Sequence, residues 1–168
     1  MRVVAVVGNP KRGGRTTTVA ERVAAQVAST ASGTVEVLEL SDIASELFSP
    51  TAPIVGEWTA RVRSADAAVF ASPTYKAGLT GLLKAFLDRY DTNGLSGLLA
   101  VPVMLGAGPH HALAVETSLR PVLTELAAVM PTKGLYVLDS DLDSLDHALE
   151  TWWSLAEPAL RPWLTPIT

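Results

Sequence analysis

Short uninterrupted apolar runs alternate along the chain with longer stretches in which apolar residues recur every three or four positions. The apolar segments at 3–7, 35–40, 67–71, 99–105 and 135–138, the second of them interrupted by Glu36 and Glu39, are read as strands of a parallel sheet covered on both faces. Between them the pattern predicts helices. One covers 16–29, with Val19, Val23 and Val27 on one face, and a second covers 55–64. A third at 79–90 buries Leu79, Leu82, Leu83, Phe86 and Leu87, and another at 112–129 turns Leu113, Leu119, Leu123 and Leu126 inward. The last helix covers 143–160, and Pro158 and Pro162 are read as ending regular structure. Segment 41–53 combines turn residues with a short helical pattern and, with the helix after it, frames an entrance. This βα order predicts an α/β domain, a three-layer doubly wound sheet of five parallel strands in the order 2-1-3-4-5. Its ligand crevice is expected at the carboxyl ends of strands 1, 3 and 4.

The connections at those ends are 8–18, 72–78 and 106–111, and all three carry special residues. The first reads GNPKRGGRTTT between a strand and a helix. Glycines there permit a sharp turn and leave amides uncovered, Lys11, Arg12 and Arg15 add positive charge, and Thr16, Thr17 and Thr18 offer hydroxyls at a helix N-terminus. Gly8 and Gly13 have the separation of a Walker A loop, but Gly14 stands where its lysine belongs. The dinucleotide fingerprint fails as well, because Asn9 and Pro10 follow Gly8 and Pro10 has no N–H to give a pyrophosphate. The loop suits one terminal monophosphate; the bland alternative is a solvated basic loop that caps a helix.

Composition narrows the class. The 168 residues, 48% of them hydrophobic, suit a single domain over 1–168. There is no cysteine, which excludes disulfides, thiol catalysis and cysteine-based metal sites. The longest apolar stretch, 98–105, contains Pro102 and is too short for a membrane span, and Met1 and Arg2 lead straight into a strand, so a cytoplasmic location is expected. A formal net charge of −4 argues against nucleic acid as a partner. Asp139, Asp141 and Asp143 alternate without the glycine and glutamate of a calcium loop; they are expected in a solvated turn far from the crevice, with no metal site. Lys84 and Asp88 are spaced to pair on one helix face.

The segments SPTYKAGLTGLLKAFLD at 72–88 and GAGPHHALAVETSLRPVL at 106–123, together with the first loop, resemble the NAD(P)H-dependent FMN reductase family of flavodoxin-like fold. Within it they are most similar to the flavin reductases of two-component alkanesulfonate monooxygenase systems. The resemblance implies FMN and NAD(P)H as cofactors, with Asn9, Lys11, Arg15, Thr16, Thr17 and Thr18 at the flavin phosphate. It implies Pro73, Thr74, Tyr75 and Lys76 at the flavin edge, and Gly106, Ala107, Gly108 and His111 along the third loop. Tyr75 is read either as a wall of the pocket or as core packing. The implied reaction passes hydride from nicotinamide to flavin by positioning the two rings, so no catalytic side chain is assigned. Implied partners are a flavin-dependent monooxygenase and further copies of the chain, as a homodimer or homotetramer. Two alternatives stay open: a quinone, azo or metal-ion reductase with bound FMN, and a flavodoxin-like electron carrier. Thr117 departs from relatives that carry a bulky aromatic residue there with a widened helical turn, so their assembly is not carried over.

Overall fold

The computed structural model describes residues 1–164; of the domain expected over 1–168, residues 165–168 lie outside the described residues. The chain runs β1 (Arg2–Val7), α1 (Arg15–Ser29), β2 (Thr34–Glu39), a 3₁₀ segment (Leu40–Glu46), α2 (Pro53–Arg63), β3 (Ala67–Pro73) and α3 (Gly81–Leu87). It continues through β4 (Leu99–Gly106), a π-helical turn (Val115–Leu119), α4 (Arg120–Glu125), β5 (Leu135–Leu138) and α5 (Leu145–Leu164). All pairings are parallel and the order is β2-β1-β3-β4-β5, as the pattern of runs and helices implied.

β1 shows why both faces need cover. Val3, Ala5 and Val7 point to one side and Val4 and Val6 to the other, and all five are fully buried. The first side packs against Val19, Val23 and Val27 of α1 and Leu149, Leu160 and Leu164 of α5. The second packs against Val55 and Val62 of α2, Leu83 and Phe86 of α3, and Leu123 of α4. β5 pairs with β4 only along Val103–Gly106. Towards the amino end of β4 the edge is closed instead by Val129, which bridges to Leu99. No helix among the described residues is long and apolar enough to cross a membrane.

Three helical expectations are corrected. α3 is shorter than 79–90, because Thr80 caps it by accepting from the Leu83 N–H at 3.1 Å and Asp88 ends it. The helix expected over 112–129 runs only over 114–125 and is irregular ahead of Pro121, which lacks an N–H and whose ring would meet the Thr117 carbonyl in a regular helix. The turn before it widens, and the Arg120 N–H reaches back five residues to the Val115 carbonyl. In α5, by contrast, Pro158 and Pro162 lie inside the helix. They stand four apart on its exposed side, while Ala156, Leu160 and Leu164 are buried on the opposite side. A helical proline costs about 3 kcal/mol, and each buried leucine returns roughly 1.5–3 kcal/mol, so burial keeps the helix going. Trp152 and Trp153 pack against the same core, with the Trp152 indole N–H on the Lys133 carbonyl at 3.2 Å, whereas Trp163 is half exposed.

The π-turn is fastened to the chain ahead of β5 by one ion pair. Glu116 accepts from the Arg120 guanidinium and, at 2.7 Å, from the Gly134 N–H; Arg120 also donates to the Met130 carbonyl at 3.2 Å and to that of Thr132. Burial pushes the Glu116 carboxyl up, but the Arg120 hydrogen bond, the Gly134 N–H and the charges of Arg120 and Lys133 outweigh it and hold the group below its ordinary 4.5. A depressed carboxyl contributes stability above its unfolded value, and the contribution is lost as pH falls through the folded value. Glu116→Gln is therefore expected to lower unfolding free energy at pH 7 by on the order of 1 kcal/mol, as this site is partly solvated. Urea denaturation should show the gap between variant and parent closing below about pH 4.5.

Candidate functional site

The loop after β1 is shaped from within. Gly8 donates to the Ala71 carbonyl at 2.8 Å, which keeps the chain on the sheet for one more residue. Asn9, almost fully buried, then folds the loop around itself: its Oδ1 accepts from the Lys11 N–H at 3.0 Å and its Nδ2 donates to Thr16 Oγ1 at 3.2 Å. Gly13 takes a left-handed conformation with φ of 61°, and its N–H donates to Glu39 Oε1 at 3.0 Å. The same carboxylate oxygen accepts from the Thr17 hydroxyl at 2.9 Å. Gly14 begins α1 in an extended conformation with no side-chain cap, so the first amides of a 15-residue helix are left for another acceptor.

Thr80 ties this loop to α3. Its hydroxyl donates to the Gly8 carbonyl at 2.6 Å while capping the Leu83 N–H, and its own N–H donates to Ser72 Oγ at 3.0 Å. Thr80 and Ser72 are both buried.

The loops after β3 and β4 make the facing wall. Thr74 donates its N–H to the Leu105 carbonyl at 2.6 Å, which carries the β3–β4 pairing to the rim. Tyr75 and Gly78 then close a two-residue turn with reciprocal backbone hydrogen bonds of 2.9 and 3.1 Å. Both residues at its tip are left-handed, Lys76 with φ of 51° and Ala77 with φ of 65°, although neither is glycine. Such a conformation costs roughly 1–2 kcal/mol per residue, and the turn is held against it by the Leu79 N–H on Ser118 Oγ at 2.9 Å. Tyr75 is 52% exposed, so it is a wall residue and not core. Gly106 passes so close to Tyr136 that a Cβ there would lie 2.1 Å from the phenol oxygen. That phenol donates to the Gly108 carbonyl at 2.9 Å and fixes the third loop. Burial pushes the Tyr136 pKa up, with the Asp139 charge acting in the same direction and Thr74 against it. The His110 and His111 rings lie 4.1 Å apart between centroids and tilted at 55° to one another.

Between these walls lies a cavity of about 500 Å3. Of the residues singled out from sequence it brings together Asn9, Lys11, Arg15, Thr16, Pro73, Thr74, Tyr75, Gly106 and Ala107. Thr17 turns instead to Glu39, Thr18 is exposed on α1, Lys76 sits at the tip of the turn, and Gly108 and His111 shape the third loop from behind. Asp139 corrects the expectation that the aspartates lie far from the crevice. It lines the cavity, with its Oδ1 3.2 Å from Arg15 Nη1. The reason is topological: β5 is parallel to its neighbours, so the residue following Leu138 emerges at the same edge as Gly106, the register partner of Leu138. Its place directly after the last apolar run was the available signal. Arg12 also has an acidic partner, Asp42 at 3.3 Å; among the described residues Lys11 is the cation on the cavity wall with no ion pair. The Lys84–Asp88 pair expected on α3 is formed, at 2.6 Å.

A donor-rich helix start at one end of the cavity and a narrow, small-residue slot at the other accord with the family comparison. Residues 1–143 match the family model described as NADPH-dependent FMN reductase. The chain belongs to that family. It is 33% identical to an FMN reductase (NADPH) of Escherichia coli over 60% of the chain and 60% of that relative, less than two thirds of the relative's length. It is 31% identical to the NADH-dependent FMN reductase SfnF of Pseudomonas fluorescens over 84% of the chain and 78% of the relative. Among solved structures the apo form of an NADH:FMN oxidoreductase, EmoB, superposes with a TM-score of 0.80 at 30% identity, covering 92% of this chain and 89% of that one. The flavodoxin-like fold of the family is thus the fold of this chain.

Because Thr80 joins two of the site's loops through buried polar contacts, Thr80→Val strands both the Gly8 carbonyl and the Leu83 N–H. The expected loss is about 2–3 kcal/mol of unfolding free energy, read by urea denaturation.

Proposed function

We propose that the protein is an NAD(P)H:FMN oxidoreductase that holds the flavin in the 500 Å3 cavity, with the phosphate on the first loop and the ring system between Tyr75 and the Gly106–Ala107 backbone. Family membership supports the activity and both ligands. The observation that carries the placement is the uncapped start of α1, opening with Lys11, Arg15 and Thr16 onto the same cavity as a slot where Gly106 leaves no room for a side chain. The donor set fits a phosphate dianion: helix amides, a threonine hydroxyl, and a lysine without a competing acid. Pro10 removes one amide from the loop and disfavours a pyrophosphate, which selects FMN over FAD.

Held by Lys11, Arg15 and Thr16 at one end and between the second and third loops at the other, FMN would supply the redox chemistry as hydride acceptor. The chain's own part is positioning. Asn9 sets the loop's curvature, Thr80 and Ser72 hold the two strand ends at a fixed separation, and Tyr136 keeps the third loop low enough for a flat ring. Its phenol donates to the Gly108 carbonyl. The likeness of 72–88 and 106–123 to the alkanesulfonate systems supports a flavin-dependent monooxygenase as the recipient of the reduced flavin.

Fluorescence titration with FMN, FAD and riboflavin, alongside NADH and NADPH oxidation with added FMN, tests this reading. FMN should bind more tightly than FAD. Lys11→Ala and Thr16→Val should each weaken FMN about tenfold, the equivalent of roughly 1.5 kcal/mol for a charge-assisted contact, and leave riboflavin nearly unchanged. Equal losses for the two flavins would remove the phosphate from the first loop.

A further inference from the structure

The first loop is basic in sequence but nearly neutral in three dimensions. Two of its three cations are paired with acids from elsewhere in the chain, Arg12 with Asp42 in the 3₁₀ segment and Arg15 with Asp139 after β5; a third acid, Glu39 at the end of β2, accepts from the Gly13 N–H, and among the described residues Lys11 has no ion pair. Glu39 and Asp42 act from outside the cavity wall, on the Gly13 N–H and on Arg12. Asp139 differs, because it lines the cavity and takes the guanidinium of Arg15, a cation that lines it too. Neither partner belongs to a loose segment. Arg15 is the first residue of α1, and Asp139 follows Leu138, which stands in register with Gly106 at the edge of the sheet. The pair is thus delivered by the scaffold to the spot where a phosphate on the helix N-terminus would need Arg15.

We infer that Asp139 is the affinity-setting counter-ion of the flavin phosphate: a carboxylate that competes with the phosphate for Arg15 and so keeps FMN in exchange with solvent. This inference rests on the placement of FMN proposed above. A phosphate dianion outcompetes a carboxylate monoanion for one guanidinium, yet it does so beside a negative charge that stays in the cavity wall. With side-chain exposures of 65% for Arg15 and 35% for Asp139, solvent screens the contest, and its size is a modest factor in affinity. A reductase that hands reduced flavin to another protein needs such a factor, since tight retention of the phosphate would slow release.

The test is FMN and riboflavin titration of the parent, Asp139→Asn and Asp139→Ser, with stopped-flow measurement of FMN release. In the parent, FMN must bind more tightly than riboflavin; if it does not, the FMN placement itself fails, whatever the variants do. Given that, both variants should tighten FMN about three- to tenfold and slow its release, with riboflavin unchanged. In an Arg15→Ala background the gain from Asp139→Asn should disappear, and Asp42→Asn in the parent background should change FMN affinity less than Asp139→Asn does. Unchanged or weaker FMN binding in both variants overturns the inference. So does a parallel gain for riboflavin, which would place Asp139 against the ring, and so does a gain that persists in full without Arg15.

Discussion

Parallel pairing of β1 with β3 is the constraint on which the site depends. β1 ends beside Ala71, two residues before β3 ends, with Gly8 donating to the Ala71 carbonyl, and the chain leaves the two strands in opposite directions: α1 covers one face of the sheet and α3 the other. Two connections that part over adjacent strand ends must leave a cleft between them. Everything polar that the cleft needs comes from the residues just past each strand end. The first loop leads into the start of helix α1, and the loops after β3 and β4 line the facing wall. Thr80 is the crosspiece, holding Gly8 and α3 at one distance through a 2.6 Å hydrogen bond.

Electrostatics within this frame depends on which acids the sheet brings to the same edge. In sequence, Glu39, Asp42 and Asp139 are separated from the basic loop by dozens of residues. Three-dimensional order places the ends of β2 and β5 on either side of it, so a loop that reads as strongly cationic becomes locally compensated. On the placement of FMN proposed above, attraction for its phosphate would reside in directed donors more than in net charge, which favours recognition by geometry over long-range steering.

Strand identity, sheet order and the location of the cleft were legible because buried parallel strands are continuous apolar runs with turn residues at their ends, and Val3, Ala5 and Val7 have no other stable place. Nine of the residues expected to contact ligand do line one cavity, since a strand-end loop carries its neighbours with it. What escaped the pattern has specific causes. Asp139 reads as one of three alternating aspartates, and only the parallel direction of β5 distinguishes it. Pro121 was hidden inside a good leucine periodicity, where the apolar spacing predicted a regular helix and the missing N–H goes with a widened turn ahead of α4. Pro158 and Pro162 erred in the other direction: breakers by composition, they were overruled by the burial of Leu160 and Leu164. Local rules weigh one residue against its neighbours in sequence, whereas the outcome was decided by which side of the helix met the sheet.

The left-handed tip at Lys76 and Ala77 bears on when ordering happens. Both residues occupy a small conformational well, and the turn is closed by two backbone hydrogen bonds and anchored to Ser118. Its unfavourable torsions are thus imposed as the chain folds, at the expense of global stability. A ring arriving beside Tyr75 meets a wall whose backbone has no further freedom to lose, so ligand association carries little entropic penalty from this loop. Relief of the same torsions by a glycine would make the native state easier to reach and the bound arrangement harder to hold, placing stability and recognition in opposition at a single peptide.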